Sequence, residues 1–348
     1  MNAKTLIVGL GGSGSRILTH LVKNFTEQEK ENTSFIALDH DQTELRCLQE
    51  ENSSIQTISI AQKHTLEQCV FYEADARDSW FPLHLVNTMN FTNPSRAASR
   101  LAFQLAIRQG KLQSLDHILH HEKPEQIILT GSCFGYTGSA MVLPLSLHIR
   151  QILHDKTNIC GVFLMPDVYD PLIRSHGEYE KAREHTYAFL RELNAFTAEE
   201  AGVLDETYTI GMNLPRPASM ENDMVNGRPL DLCFLLSADP SHPASSSDIH
   251  ASAAVQIQDV MRTSVTDQAG ALGAHDVCRY ALFHAGEAAA HCCRPSDLPG
   301  FSRDGVYYEI YHRTIAAYDP RNYVSRVITP HLDRSWHDSA CFPDLDVV

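Results

Sequence analysis

The sequence has no long hydrophobic run, no excess of positive charge and no regular pattern of paired cysteines. No stretch approaches the roughly 18 uninterrupted apolar residues that predict a transmembrane helix. The 43 acidic residues outnumber the 28 lysines and arginines, and the formal net charge is −15. This balance disfavours nonspecific binding to nucleic acid and docking on anionic lipid, and it leaves room for a basic partner. We therefore expect no nucleic-acid partner and no membrane insertion.

The cysteines are typical of free, reduced thiols. There are nine of them, an odd number with irregular spacing, and Cys160 and Cys233 lie within apolar runs. A disulfide framework would show an even number of cysteines at regular spacing, so this pattern favours a compartment in which thiols stay reduced. The first residues also lack a basic segment followed by an apolar stretch and a small-residue cleavage site. Together these features predict a cytoplasmic protein.

Signatures of common hydrolases and zinc sites are missing too. Neither G-x-S-x-G nor H-E-x-x-H occurs. One histidine cluster comprises His117, His120 and His121, and another group runs from residue 284 to 293. Neither has zinc-ligand spacing with a second matching half. We expect no metal held by protein side chains alone.

The most informative stretch present is TLIVGLGGSGSRI, residues 5–17. Leu6 to Val8 read as a buried strand, glycines follow at once, and apolar residues then recur at helical spacing. A strand, a glycine turn and a helix start form a geometry that cradles phosphate. The backbone can approach an anion closely, and the helix N-terminus offers free N–H groups and partial positive charge.

Strands alternate with helices along most of the 348 residues, a length comfortable for two domains. This alternation predicts an α/β fold with a mostly parallel sheet and helices on both faces. Ligands of such sheets bind at the carboxyl ends of the strands. We predict strands over 34–38, 55–60, 126–130, 158–165, 230–236 and 305–317, and helices over 95–112, 141–153, 178–196 and 245–269.

One interpretation of the opening loop is a dinucleotide site. Residues 9–14 match G-x-G-x-x-G, and Asp39 stands at the end of the second strand, where a Rossmann fold places its ribose-binding acid. A Rossmann-type NAD-dependent enzyme or an E1-like adenylating enzyme is therefore one candidate. It does not account for a second glycine- and serine-rich loop at 131–140.

Several segments resemble the tubulin/FtsZ superfamily. FIALDHDQTEL (35–45) is similar to the family's stretch after the second strand. GSCFGYTGSA (131–140) resembles its signature loop G-G-G-T-G-[ST]-G. FTNPSRAASRLAF (91–103) and EYEKAREHTYAFLREL (178–193) are similar to its third phosphate-facing segment and to its ribose-side helix. HDVCRYALFHAGEAA (275–289) is similar to the segment after the family's central helix. The likeness is greatest to bacterial tubulin-like proteins outside the cell-division group.

The resemblance implies a nucleotide-binding domain over 1–245, a long central helix over 246–270 and a small α+β C-terminal part over 271–348. It implies GTP or GDP with Mg²⁺ as ligand, and head-to-tail self-assembly into filaments of a cytoskeletal kind. GTP hydrolysis in that family uses a water positioned by an acidic loop from the neighbouring subunit. An unidentified protein partner is a further expectation.

The resemblance also assigns roles to residues. The first loop would cradle the phosphates, the fourth loop would do so from the other side, Asp41 would lie near the phosphates or their Mg²⁺, and Glu178 with Lys181 or Arg183 would lie near the ribose. The full set of expected nucleotide-binding residues is Gly11, Gly12, Ser13, Gly14, Arg16, Asp39, Asp41, Gly135, Tyr136, Thr137, Gly138, Ser139, Glu178, Arg183 and Gln258.

The sequence departs from the family pattern at three places. Phe134 and Tyr136 replace glycines of the fourth loop, and Gln258 stands where the family has a base-reading Asp. Of the catalytic pattern G-x-x-N-x-D-x-x-D, only Gly270 and Asp276 remain. We therefore expect weak or lost hydrolysis, with Asp276 as the acid supplied in trans if it occurs. A degenerate, non-hydrolysing scaffold of the same fold is the alternative.

Three residues carry a second interpretation. Asp41 fits an N-cap of the helix that follows as well as it fits a ligand-binding role. Arg96 and Arg100 lie one turn apart, so they could face an anion or belong to a salt-bridged helix surface.

Overall fold

The computed structural model describes residues 4–72, 95–153, 157–169, 176–197, 229–237, 246–262 and 279–284. Its strands are β1 (Thr5–Leu10), β2 (Thr33–Asp39), β3 (Ile55–Ser59), β4 (Gln126–Ser132), β5 (Asn158–Leu164), β6 (Leu232–Ser237) and β7 (Arg279–His284). Its α-helices are α1 (Gly11–Asn24), α2 (Glu27–Glu31), α3 (Gln42–Glu51), α4 (Leu66–Tyr72), α5 (Arg96–Arg108), α6 (Gln113–His117), α7 (Tyr136–Leu153), α8 (His176–Thr197) and α9 (Ser246–Arg262). A π-helix covers Ile118–Glu122 and a 3₁₀-helix covers Pro166–Tyr169.

The seven strands form one sheet in the order β3-β2-β1-β4-β5-β6-β7, and every pair is parallel. Their apolar runs are nearly continuous because both faces of a parallel sheet are covered. The predicted α/β class, with a parallel sheet and helices on both faces, is confirmed. The strand order changes direction between β1 and β4, and open sheets of this kind bind ligands at such a point.

Side chains of β1 alternate between two hydrophobic cores. Leu6 and Val8 join the core that contains α5, α7 and α8. Ile7 joins the opposite core, which contains α1, α3 and α9. The period of two residues in a strand requires this division, and it fixes α1 and α7 on opposite faces of the sheet.

Helix α9 packs along α1 through Ile249, Ala253 and Ile257, which share a core with Ile17 and Leu21. It is the described part of the predicted central helix; the remainder of the range, 263–270, lies outside the described residues. Among the described residues, no helix combines the length and the apolar character needed to cross a bilayer.

The predicted C-terminal part, 271–348, is described only over Arg279–His284. That segment is β7, the last strand of the sheet, paired in parallel with β6, and the sequence reading did not predict it as a strand. The division into domains stays a prediction, and the strand expected over 305–317 lies outside the described residues.

Other boundaries also differ from the sequence prediction. Helix α5 ends at Arg108 rather than at residue 112, because Gly110 adopts a φ of +68°. Helix α2 was not predicted, although Thr26 and Glu29 form a capping box at its start. Helix α7 begins at Tyr136, five residues earlier than expected, so the second half of the fourth loop, 136–140, is the start of a helix.

Candidate functional site

A cavity of about 280 Å³ opens where the strand order reverses, between the β1–α1 and β4–α7 connections. Both strands point their carboxyl ends at it. The lining residues are Leu10, Gly11, Gly12, Ser13, Arg16, Ser132, Phe134, Gly135, Tyr136, Thr137, Gly138 and Tyr169. The structure therefore brings together residues of the first and fourth glycine loops, although more than a hundred positions separate them.

The first turn of α1 gives this cavity a positive character. The residue at its N-cap position is Leu10, whose side chain cannot accept a hydrogen bond, and no acidic residue lies in the first turn. The backbone N–H groups there have no capping side chain and carry the positive end of the helix dipole. Arg16 adds a formal charge at the cavity wall. An anionic group suits this arrangement.

The glycines of the two loops have different structural roles. A Cβ on Gly14 would lie 2.6 Å from the carbonyl carbon of Gly9, and one on Gly138 would lie 2.8 Å from the Leu10 oxygen. These two positions need glycine so that helices can approach strands. A Cβ on Gly12 would meet only the Glu44 side chain, at 3.1 Å, so Gly12 is the position open to a ligand.

Gly11 needs glycine for another reason, because its φ is +69°. This left-handed residue turns the chain from β1 into α1 and leaves the following N–H groups at the cavity. The predicted glycine turn is therefore present as a sharp strand-to-helix connection.

Two aromatic rings of the fourth loop narrow the cavity. The Phe134 ring packs edge-on against Tyr169, with centroids 5.1 Å apart, and Tyr136 packs against His185 at 4.7 Å. His185 Nδ1 lies 3.0 Å from the Phe134 carbonyl oxygen, which can only accept, so Nδ1 carries the proton. Burial, reinforced by the Arg96 charge, lowers the pKa of His185 to about 4 and keeps it neutral at pH 7.

Ser139 lies behind the fourth loop, not in the cavity wall. It is 1% exposed, and its hydroxyl donates to the Gly135 carbonyl at 2.6 Å. The Arg96 guanidinium donates to both its Oγ and its backbone oxygen. Ser139 therefore holds the loop in shape, and its predicted contact with a ligand stays a prediction.

The two arginines of α5 form ion pairs instead of facing the cavity. Arg96 and Arg100 each approach Glu192 of α8 at 2.7 Å. Burial alone would raise the pKa of Glu192, but the two guanidinium groups more than offset it, and its pKa is lowered. This cluster, whose side chains are only 11 to 15% exposed, fixes α8 and, through Arg96, the start of α7. Of the two interpretations of the sequence, ion pairing is the one observed, and the partner Glu192 lies on another helix.

A tyrosine that the sequence reading missed completes the wall. The Tyr169 hydroxyl lies 3.1 Å from Ser13 Oγ and 2.6 Å from Nε2 of His250 in α9. Burial raises the pKa of Tyr169, so the phenol is protonated at neutral pH. The available signal was its position shortly after β5, beside the carboxyl end of β4.

The acidic residues Asp39, at the end of β2, and Asp41, just after it, do not line the cavity. Asp41 caps α3, where its carboxylate accepts from the N–H groups of Thr43 and Glu44. Asp39 is 5% exposed and accepts from the His40 N–H at 2.6 Å. Burial raises the pKa of Asp39 from 3.8 to about 6, despite the opposing backbone hydrogen bonds. The N-cap interpretation of Asp41 is observed, while ligand binding by either residue stays a prediction.

The remaining predicted residues lie outside the cavity wall or outside the described residues. Glu178 is exposed on α8, and Arg183 is partly buried on the same helix. Gln258 is 7% exposed in α9, and its Nε2 has no hydrogen-bond partner among the described residues. Asp276 lies outside the described residues. Within the described ranges, no three His, Cys, Asp or Glu side chains form a group that could hold a metal ion.

A family described as "Tubulin like" matches residues 6–267, well over half of the chain. The chain belongs to this tubulin-like family. The match spans both glycine loops and α9, and it confirms the resemblance to the tubulin/FtsZ superfamily. Strand order alone could not have decided this, because the dinucleotide-binding fold shares the order 3-2-1-4-5-6.

Solved structures of the same superfamily are similar at low identity. CetZ from Methanosaeta thermophila strain DSM 6194 is 13% identical with a TM-score of 0.45, and the match covers 77% of this chain and 58% of CetZ. CetZ2 from Haloferax volcanii is 12% identical with a TM-score of 0.45, and the match covers 77% of this chain and 63% of CetZ2. TubZ from Bacillus thuringiensis serovar israelensis is 10% identical with a TM-score of 0.41, and the match covers 75% of this chain and 55% of TubZ.

The tubulin-like chain thus spans less than two thirds of the length of these structures. No curated protein sequence matches it.

Proposed function

We propose that this tubulin-like protein binds a guanine nucleotide, GTP or GDP with its Mg²⁺, through the phosphates in the cavity between the β1–α1 and β4–α7 connections. The observation that carries the proposal is the uncapped N-terminus of α1 facing that cavity beside Arg16. Backbone N–H groups at such a helix start bind phosphate oxygens without needing several cationic side chains.

The residues present fit an anionic group of limited size. Gly12 leaves the backbone accessible, and neither α1 nor α7 has an acidic residue in its first turn. The cavity volume of about 280 Å³ lies at the small end for ligand pockets. It suits a phosphate chain, while the sugar and base need space outside it or movement of Tyr136 or Tyr169.

The chain's contribution to chemistry is positioning and electrostatic stabilisation, as in other phosphoryl transfers. The N–H groups of α1 and the hydroxyls of Ser13 and Thr137 would hold the phosphates. We infer weak or lost hydrolysis, because the acidic loop expected near Asp276 retains little of the family pattern. Asp276 would act in trans, from a neighbouring subunit.

Self-association is part of the proposal. The Haloferax volcanii CetZ2 structure is a GTPγS-bound protofilament, and the Bacillus thuringiensis TubZ structure contains GDP-form protofilaments. By this analogy, we propose head-to-tail assembly of the present chain into a cytoplasmic filament.

Two measurements test nucleotide binding. Isothermal titration with GTP, GDP, ATP and NAD should show binding of the guanine nucleotides in the micromolar range and weaker binding of the others. Chromatography of the small molecules released on denaturation should identify GDP or GTP. Tight NAD binding without guanine binding would overturn the proposal in favour of the dinucleotide interpretation.

One observation favours the scaffold alternative. Phe134, Tyr136 and Tyr169 all line the cavity, and the Tyr169 hydroxyl is within hydrogen-bonding distance of Ser13. If no nucleotide binds in the titration, this narrow, aromatic-lined cavity supports a protein that keeps the fold for protein contacts alone.

A further inference from the structure

A chain of hydrogen bonds runs from the cavity wall into α9. Ser13 Oγ, the Tyr169 hydroxyl and Nε2 of His250 follow one another at 3.1 and 2.6 Å. Ser13 and Tyr169 line the cavity, whereas His250 is 2% exposed and is not among the lining residues. We call these three residues the Ser13–Tyr169–His250 bridge.

The chemistry of the three groups sets the direction of the protons. We assign the tautomer of His250 that leaves Nε2 without a proton, so that Tyr169 donates to it, because a phenol is a stronger acid than the N–H of a neutral imidazole. The Tyr169 oxygen then accepts the single hydroxyl proton of Ser13. A phosphate oxygen can only accept, so it competes with Tyr169 for that same proton.

The limited space in the cavity also sets the ligand against the Tyr169 ring. The cavity of about 280 Å³ is small for a nucleotide, and the Tyr169 ring forms part of its wall. A ligand that enters beside Ser13 therefore meets the ring as well as the hydroxyl. The Phe134 ring lies against Tyr169 and would move with it.

We propose that the Ser13–Tyr169–His250 bridge reports occupancy of the phosphate cavity to α9. A bound phosphate oxygen accepts the hydrogen bond of the Ser13 hydroxyl and displaces Tyr169. The hydrogen bond from Tyr169 to His250 is then lost, so the first turns of α9 loosen. This regulation rests on the proposed function, since it requires a phosphate-bearing ligand at Ser13.

The response should be local to the start of α9. Ala253, Ala254 and Ile257 pack in the same core as α1 and hold the rest of the helix. His250 lies in the second turn, where loss of one buried hydrogen bond has the largest effect on local opening of the helix.

Amide hydrogen exchange on the full chain, with and without GDP, tests the bridge. In the wild type, GDP should raise exchange over residues 246–254 by about threefold or more. In Tyr169→Phe, exchange there should be high without ligand and should not respond to GDP. Because Ser13 is then free, this variant should bind GDP about two- to tenfold more tightly.

Two further variants serve as controls. His250→Phe breaks the bridge from the other end and should give the same raised exchange without ligand. Tyr187→Phe removes a buried hydroxyl from the core on the opposite face of the sheet. It should leave both the exchange of α9 and the affinity for GDP unchanged.

The outcomes separate the two proposals. GDP binding to the wild type without any change in α9 exchange, or with equal affinity in Tyr169→Phe, overturns the bridge and leaves nucleotide binding intact. Absence of binding in every variant overturns both. Binding by Tyr169→Phe but not by the wild type supports the bridge as a device that closes the site.

Discussion

At the scale of single residues, Asp39 has an unusually high pKa. Burial disfavours its carboxylate and raises its pKa to about 6. The folded state thus keeps a proton between about pH 4 and 6 that the unfolded state has lost, so the carboxyl group makes the protein less stable as pH rises through that window. Above that window the loss of stability is constant, at about 3 kcal/mol.

We predict that Asp39→Asn is more stable than the wild type at pH 7 by about 3 kcal/mol and that the advantage disappears near pH 4. The amide oxygen can still accept from the His40 N–H. His40 has a pKa lowered to about 4 by burial, which acts on stability in the opposite direction. The measurement is therefore the difference between two urea denaturation series across pH, and parallel curves would contradict the prediction.

The buried ion cluster of α5 and α8 gives a second prediction at this scale. Glu192→Gln should destabilise the protein by about 3 kcal/mol, because it leaves Arg96 and Arg100 buried without a countercharge. Glu27→Gln breaks an exposed pair with Lys30 and should cost less than about 0.5 kcal/mol. Chemical denaturation of both variants makes the comparison, and similar losses would show that the cluster is not effectively buried.

At the scale of elements, the contact between α1 and the sheet depends on Gly14. A methyl group there would collide with the backbone of Gly9 and Thr130, at 2.6 and 2.8 Å. Helix α1 would have to move off β1 and β4. We predict that Gly14→Ala lowers the free energy of unfolding by about 3 kcal/mol.

Gly12→Ala is the matched substitution two positions earlier. Its methyl group meets only the flexible end of Glu44, so stability should change by less than about 1 kcal/mol. The same group stands in the cavity wall and should weaken GDP binding about tenfold. Thermal unfolding and calorimetry on the two variants should therefore give opposite patterns, and a large loss of stability in Gly12→Ala would refute this division of roles.

The elements differ in how far the sequence predicts them. Strands such as β1 and β4 are continuous apolar runs that end in glycine loops, so their type and their meeting at one edge of the sheet follow from local pattern. The role of Ser139 does not, since it depends on Arg96 from another helix. Tyr169 was missed for the same reason, because its partners Ser13 and His250 lie far away in sequence.

At the scale of the whole molecule, the net charge of −15 opposes assembly of identical subunits. Screening by salt weakens repulsion between exposed charges. We predict that light scattering and sedimentation show GTP-dependent polymers, and that the critical concentration falls as salt rises from about 0.05 to 0.3 M, where the Debye length is shorter. GDP should support less assembly, and phosphate release should stay slow as protein concentration increases.

Gly12→Asp is the control for this prediction, because it places a negative charge in the phosphate cavity beside Glu44 with little change to the fold. It should bind no GTP and should not polymerise at any salt concentration. Polymers of Gly12→Asp would show that assembly does not depend on the cavity. A phosphate-release rate that climbs steeply with wild-type concentration would show instead that the depleted acidic loop still completes a neighbour's active site.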